Sequence, residues 1–514
     1  MTMNLAQANS KSIRFLISLQ QTSHLRVLFA GLLLPFGFAP FHYPGLVILG
    51  LALFFASLRE QNRRQAFFSG FLLGLTYFGL GVSWIYVSIH TYGHLHPLLS
   101  AFATLLFIVY LALFTGLVGL SYKILARSSS SLLSALLFSA VWCLGEYLRA
   151  NVLTGFPWLM VAYSQMDSPL QYLLPIIGLY GLSFMCCFSA SLLALAMHAK
   201  STHRYALILA FMAVFMGPSL LQYKTWAKVD ETPLSVAVIQ ANLSMRNKWD
   251  ESLFWQLLDF YRQNINQLLD KKDVIVLPES ALPIPANYIS DVLNRMDEAA
   301  KHSHTAILLG IPKASSENAF YYNSMLALGD ASGDYIKQHL VPFGEYIPGL
   351  FSPLIHWLNV PISNLLKPAQ TPQNLIQVHH QSIASLICYE VAYPELLRQQ
   401  LPQAQWIVAI SDDGWFGHSL AAYQQLQMSQ ALSLQTARYQ VVSNNDGLSS
   451  MINTEGHVSA TLPAFTSGLL EARVYPASGA TPWVRYGDTP ILGFFLLLIG
   501  FGLYRRKIID KTAN

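Results

Sequence analysis

Charge is what this chain has least of. Only 11% of its 514 residues are Asp, Glu, Lys or Arg, while 53% are hydrophobic; an ordinary soluble domain carries roughly 25% charged residues. With a mean hydropathy of +0.39, the composition excludes a wholly water-soluble chain and leaves room for one substantial polar domain. Cysteine is also scarce. Three of the four cysteines, Cys143, Cys186 and Cys187, lie in apolar runs, so a disulfide framework is not expected. No charge of one sign dominates: the net charge is +4 and the basic residues are scattered, which leaves no nucleic-acid footprint. There is no internal repeat and no low-complexity tract. The first 24 residues are polar and weakly basic, and no convincing small-residue cleavage site follows the first apolar run, so no cleavable signal peptide is expected.

What is abundant is long apolar sequence. Spanning helices need about 20 mostly apolar residues, and candidates lie near 25–41, 43–58, 66–90, 98–123, 131–150, 169–198, 204–222 and 489–504. The first two are short and share the Pro-containing link FAPFHYPG, which suggests a hairpin. Basic residues precede the first span (Lys11, Arg14, Arg26), separate the second from the third (Arg59, Arg63, Arg64), the fourth from the fifth (Lys123, Arg127) and the sixth from the seventh (Lys200, Arg204), and follow the last (Arg505, Arg506, Lys507). The alternate loops 41–43 and 91–97 have none. The positive-inside rule then places both termini in the cytoplasm and the polar segment outside. The expected organisation is a bundle of about seven spans over 1–225, an extracytoplasmic domain over 226–488 and a final span with a cytoplasmic tail over 489–514.

The polar segment alternates strand-like and helical runs. LSVAVIQANL, DVIVLPES, TAILLGIP, YYNSMLALGD, GDYIKQHLV, SIASLICYE and WIVAISDD read as strands, with further strands at 439–444 and 448–452. Residues 250–270, 290–302 and 421–438 read as helices. Such alternation, with some neighbouring strands close enough for hairpins, indicates a layered α/β fold with a mixed sheet.

Three of these runs end in reactive side chains. DVIVL leads to Glu279, GDYI to Lys337 and SIASLI to Cys388, the only cysteine after Thr225. Taken singly each has a plain explanation: a lone cysteine is more often a small core residue, and a Glu or Lys after a strand is more often solvated. Together a carboxylate, an ammonium and a thiol make a nucleophilic centre. The thiol needs deprotonation to react, Glu279 can take its proton, and Lys337 favours both a thiolate and a later oxyanion.

The blocks LPES around Glu279, KQHLVPFGEYIP at 337–348 and LICYE around Cys388 resemble the Glu-Lys-Cys signature of the nitrilase, or carbon-nitrogen hydrolase, superfamily. With the spans and the outer-face domain, the chain resembles the apolipoprotein N-acyltransferase family over nearly its whole length. Further matching pieces are GVSWIYVSIHTYG at 81–93, the blocks from Glu146 to Leu159, GLYGLSF at 178–184, KW at 248–249 and WFG at 415–417. The resemblance implies an αββα sandwich on a polytopic helical membrane bundle of a bacterial inner membrane. It implies acyl transfer from a phospholipid to the α-amine of a diacylglyceryl-cysteine on an apolipoprotein, with Glu279, Lys337 and Cys388 catalytic. Glu345 would support the catalytic Lys and Glu. Tyr389 and Glu390 would shape the pocket beside the nucleophile, and Trp249 and Trp415 would line the acyl or lipid entrance, although each Trp is nearly as well read as a core residue. No metal or soluble cofactor is implied, and one chain supplies bundle and site, which favours a monomer.

Two other features bear on a lipid substrate. Residues 346–368 are strongly apolar, with Lys367 their only Lys, Arg, Asp or Glu, and suit an arm dipping into the interface or a loop buried on the domain. Glu146, Arg149 and His90 are at or near outer ends of spans, where they would meet head groups or simply be solvated. The sequence departs from the family pattern at 241–245, at Asp412 (an acid in place of an amide), and at Gln435, Tyr439, Val442 and 444–446. These positions belong to the pocket walls and acceptor side and leave the three reactive residues intact. Two alternatives stay open: a membrane-anchored amidase whose thioester is resolved by water, and a lipid- or lipoprotein-binding paralogue without this activity.

Overall fold

A computed structural model describes residues 24–126, 129–248, 250–315, 320–349, 366–369 and 373–512. They form two compact units. One comprises the described residues up to Tyr86, Leu95–Tyr223 and those from Asp488 onward; the other comprises Val87–His94 and Lys224–Gly487.

The first unit is helical. Its elements are α1 (His24–Gly37), α2 (Pro44–Arg59), α3 (Arg63–Gly81), α4 (Pro97–Leu125), α5 (Ser131–Asn151), α6 (Leu174–His198), α7 (Ser201–Met216) and, much later in the chain, a helix at Thr489–Thr512. Among the described residues, four helical stretches are long and apolar enough to cross a membrane: Pro97–Leu125, Ser131–Thr154, Pro169–His198 and Ser201–Tyr223. A fifth arises if Arg63–Gly81 and Ile85–Tyr92 make one broken span. The expected eight are therefore not all reached by length: α1 and α2 are shorter apolar helices, divided by the turn at 38–43 that the Pro-containing link dictates. Apolar helices gain little from the hydrophobic effect against one another in lipid, so small residues that permit close approach matter more. Helices α3 and α4 show this. A Cβ on Gly70 would lie 2.1 Å from the Thr115 carbonyl oxygen, and one on Gly74 would lie 2.2 Å from Thr115 Oγ1.

Glu146 and Arg149 of α5 do not reach solvent, contrary to the head-group or solvated reading; they are 5% and 2% exposed. The chain after α5 folds back, and its backbone supplies their partners. Arg149 donates to the carbonyls of Phe156 (2.6 Å) and Trp158 (2.5 Å). Glu146 accepts from Val161 N–H (2.8 Å) and Trp142 Nε1 (3.1 Å).

The second unit is built on two sheets. The first contains β1 (Leu234–Gln240), β2 (Val274–Val276), β3 (Ala306–Ala314), β4 (Tyr321–Gly329) and β5 (Asp334–Ile336) in that order, with a late strand at Gly468–Val474 beside β1. Strands β1, β2 and β3 are parallel; the others pair antiparallel. The second sheet runs β6 (Ile376–Val378), β7 (Gln381–Ile387), β8 (Trp406–Ser411), β9 (Gln440–Asn444), β10 (Ser450–Ile452) and β11 (Val458–Thr461), with β7, β8 and β9 parallel and Ala331–Ser332 beyond β6. Helices α8 (Glu251–Leu268) and α9 (Ser290–His302) cover the first sheet through Phe254, Leu258, Tyr261, Leu293 and Met296. Helix α10 (Ala421–Thr436) packs on the second. The order helix, sheet, sheet, helix explains why VAVI, VIV, AILL and IVAI carry no polar alternation: both faces of those strands are buried. In open parallel sheets, ligands collect at the carboxyl ends of the strands; here the ends of β2 and β7 lead to Glu279 and Cys388, those of β8 and β9 to Asp412, Asp413 and Asp446, and Lys337 follows the antiparallel β5.

Candidate active site

Glu279 lies three residues beyond β2. The chain can turn there because Gly310 of β3 has no side chain: a Cβ would lie 2.3 Å from the Pro278 carbonyl oxygen and 2.6 Å from Glu279 Cα. Lys337 follows β5 directly, with its N–H on the Asn323 carbonyl (2.9 Å). Its side chain is 1% exposed, and its Nζ donates to Glu345 Oε1 at 2.8 Å and to Glu279 Oε1 at 3.3 Å. Glu345 is fixed in its turn by the Val341 N–H on Oε2 (2.7 Å). One ammonium thus bridges two carboxylates in a buried site.

Cys388 ends β7 in the left-handed region at φ +54°, a conformation that costs a non-glycine residue about 1–3 kcal/mol and collects at functional sites. Its thiol is buried. Burial first, then the negative charge of Glu279, holds the thiol well above its ordinary pKa, and Lys337 opposes this. Lys337 itself is held well above its usual value: burial alone would lower it, but Glu279, Glu345 and Cys388 together outweigh that effect. At rest the thiol is protonated, the lysine is charged and carboxylates are at hand. The sequence-derived set Glu279, Lys337, Glu345 and Cys388 therefore shares one electrostatic site.

The family comparisons coincide with this division. Residues 30–192 match the apolipoprotein N-acyltransferase N-terminal domain, and residues 235–481 match the carbon-nitrogen hydrolase domain. An apolipoprotein N-acyltransferase of Coxiella burnetii is 34% identical over 92% of this chain and 98% of its own length. One from Azotobacter vinelandii is 37% identical over 94% of this chain and 95% of its own, and one from Pseudomonas paraeruginosa is 36% identical over 94% and 96%. The chain belongs to the apolipoprotein N-acyltransferase family.

The other expected positions fall out differently within this family member. Glu390 is fully buried and braces two segments of the site. Its Oε1 accepts from the N–H groups of Gln338 (2.6 Å) and His339 (3.1 Å), and its Oε2 from Ile387 N–H (2.8 Å) and Tyr335 Oη (3.0 Å). It ties the segment after Lys337 to the strand before Cys388, and burial raises its pKa to about 7. Tyr389 joins an aromatic group with Tyr393 (ring centroids 5.2 Å) and His339 (5.7 Å). Burial, assisted by Lys337, lowers His339 to about 4. Trp415 is 40% exposed; its carbonyl accepts from Ser88 Oγ (2.8 Å) and its ring meets Tyr92 edge-on. His90 lies in that same Ser88–Tyr92 turn. Trp249 and residues 350–365 of the apolar stretch lie outside the described residues.

Asn323 and Asp413 escaped the sequence reading, whereas Lys248, Asp412 and Asp446 entered it only as family-block positions without a partner. Asn323 of β4 donates to Glu279 Oε1 (2.6 Å) and Glu345 Oε1 (3.2 Å). Lys248 forms a buried ion pair with Asp412. Asp413 and Asp446 complete an acidic flank, with burial raising them to about 7 and about 8. The one available signal was polar residues embedded in strand-forming sequence, as in YYNSM and ISDD.

Proposed function

We propose that this chain transfers an acyl chain from a phospholipid, through a thioester on Cys388, to the α-amino group of the diacylglyceryl-cysteine of apolipoproteins. The observation that carries the reading is the Lys337 ammonium held between Glu279 and Glu345 beside a buried thiol in a strained turn. Glu279 takes the thiol proton as sulfur attacks the ester carbonyl carbon. Lys337, with a backbone N–H near Tyr389, holds the oxyanion. Collapse breaks the ester C–O bond, and Glu279 returns the proton to the departing lysophospholipid. The acceptor amine then attacks the thioester, Glu279 takes its proton, and as the C–S bond breaks Glu279 returns that proton to sulfur and restores the thiol. Asn323 keeps Glu279 aligned throughout, and Glu345 keeps Lys337 charged and in place. Tyr389 and Trp415 would flank the acyl entrance, together with Trp249.

The same reading takes the eight apolar segments as membrane-embedded, with α1 and α2 as short partners. It sets the catalytic domain at 226–488 on the outer face of the inner membrane, both termini in the cytoplasm, and the chain as a monomer. The test is mass spectrometry of the purified protein after incubation with phospholipid, wild type beside Cys388→Ala. A fatty-acyl adduct on Cys388 that moves to an added diacylglyceryl lipopeptide with a free amine is the expected result. An adduct discharged only by water makes it an amidase-like hydrolase, and no adduct at all overturns the transfer.

A further inference from the structure

We propose that Lys248 and Asp412 are positioning residues that hold the base Glu279 from both of its ends, an inference that rests on the acyl-transfer reading. The two side chains form an ion pair in which each is 3% exposed. Lys248 Nζ also donates to the Glu279 backbone carbonyl (2.9 Å), and the Asp412 backbone N–H donates to Glu279 Oε2 (3.0 Å). One half of the pair grips the main chain of the base, and the other half presents a donor to its carboxylate. Asn323 and Lys337 occupy the remaining oxygen, Oε1. The pair is itself anchored: Asp412 Oδ1 accepts from Gly414 N–H and Asn445 Nδ2, both at 3.3 Å. Asn445 Nδ2 reaches the Leu243 carbonyl as well (2.7 Å), on the segment that leads from β1 to Lys248.

Stability alone does not account for such a pair. Replacing a buried ion pair with apolar side chains is often neutral or stabilising, and here the two charges meet across 164 residues. The Asp412 carboxylate is what makes the pair neutral. That neutrality matters for Glu279. The charged and titratable groups facing it are Lys337, Glu345, Cys388, Lys248, Asp412 and Asp413, with Asp446 behind Asp412 and Asp413. A lone Lys248 cation would weaken the base, and a lone Asp412 anion would strengthen it and delay its ionisation. As a pair they hold Glu279 while presenting it with no net charge.

The sign of that balance gives the test. The rate of Cys388 acylation by phospholipid is followed by quenched-flow mass spectrometry from pH 5 to 9. Alkylation of Cys388 by iodoacetamide is followed in parallel and needs no acyl donor. Asp412→Asn should move the acid limb to lower pH and slow acylation roughly tenfold or more. Lys248→Met should move the limb to higher pH. Each shift should be about one pH unit or more, as expected for one charge within several ångströms at an effective dielectric of about 20. The double variant should return the limb to its wild-type position while remaining slow, because the grip on the Glu279 carbonyl is gone. Shifts in the same direction, no shifts, or a double variant that fails to return the limb overturn the proposal. If a single variant does not fold in detergent, the double variant carries the test alone: a wild-type limb with slowed acylation supports the proposal, and a displaced limb or a wild-type rate overturns it. Absence of any wild-type acyl adduct, with iodoacetamide still modifying Cys388 in a pH-dependent way, would count against the transfer reading and leave the positioning of Glu279 to be judged on alkylation.

Discussion

Two buried acid–base sets stand in this chain, and they do different things. In the helical unit, Glu146 and Arg149 are surrounded by backbone: carbonyls of Phe156 and Trp158 for the guanidinium, the Val161 N–H for the carboxylate. Their hydrogen bonds pin one loop back against the helix. In the α/β unit, the Lys337 ammonium joins Glu279 and Glu345 directly, beside a thiol that is itself buried. Both sets occur in matching family blocks, both are nearly inaccessible, and both look equally exceptional in sequence. Burial of charge therefore does not mark a site by itself. What distinguishes the second set is that its charges answer to each other and to a nucleophile, so a change at one alters the chemistry of the rest.

The contrast breaks most sharply at Lys337. Lys337→Met should cut acylation of Cys388 about a thousandfold or more, about 4 kcal/mol of barrier, while the fold survives because Glu279 and Glu345 can then share a proton. Single-turnover acylation beside a thermal melt checks both halves. Arg149→Met should do the reverse. Removing one partner of a buried charged set costs about 3 kcal/mol or more, so the yield of folded protein and its melting temperature in detergent should fall. The acylation rate per folded molecule should stay close to wild type. Equal losses of rate and stability in both variants would erase the distinction between the two sets.

Much of this was legible in the sequence. The buried strands showed themselves as short unbroken apolar runs, and Glu279, Lys337 and Cys388 were visible because each interrupts the end of such a run. Asn323 was not, because its role depends on register. The β4–β5 pairing sets Ser324 opposite Ile336 and so brings Asn323 beside Lys337, and no local pattern encodes that partner. The strand Gly468–Val474 was missed for a related reason: it is a half-exposed edge strand carrying Glu471 and Arg473, without the apolar run that betrays the central ones. The eight expected spans are reached only in part: among the described residues four helical stretches, or five if a bent pair is one span, are long and apolar enough to cross. Hydropathy sums apolar residues, whereas a span needs an uninterrupted helix, and the chain breaks at 38–43 and at 82–84. Glu146 and Arg149 were assigned outward because position at a helix end says nothing about a loop that folds back over it.

The smallest expected effect concerns the acidic flank and its dependence on pH. Asp413 and Asp446 are raised by burial to about 7 and about 8, and Glu390 to about 7. An unfolded carboxyl releases its proton near pH 4, so across roughly pH 4 to 8 the folded chain holds protons that the unfolded chain has lost. Stability must then fall as pH rises through that window and level off above it. His339 acts in the opposite sense, since its pKa of about 4 lies below that of the unfolded imidazole. Its contribution grows between about pH 4 and 6.5 and is complete above, which leaves 6.5 to 8 as the clean interval. There the melting temperature in detergent should decline with pH, each acid contributing at most about 1.4 kcal/mol per pH unit. Asp446→Asn should flatten the decline by one group's share without abolishing it, because Asp413 and Glu390 remain. A melting temperature that is constant or rises from pH 6.5 to 8 would mean that these acids are already ionised in the folded state. The α/β unit would then hold its charges as quietly as Glu146 and Arg149 hold theirs.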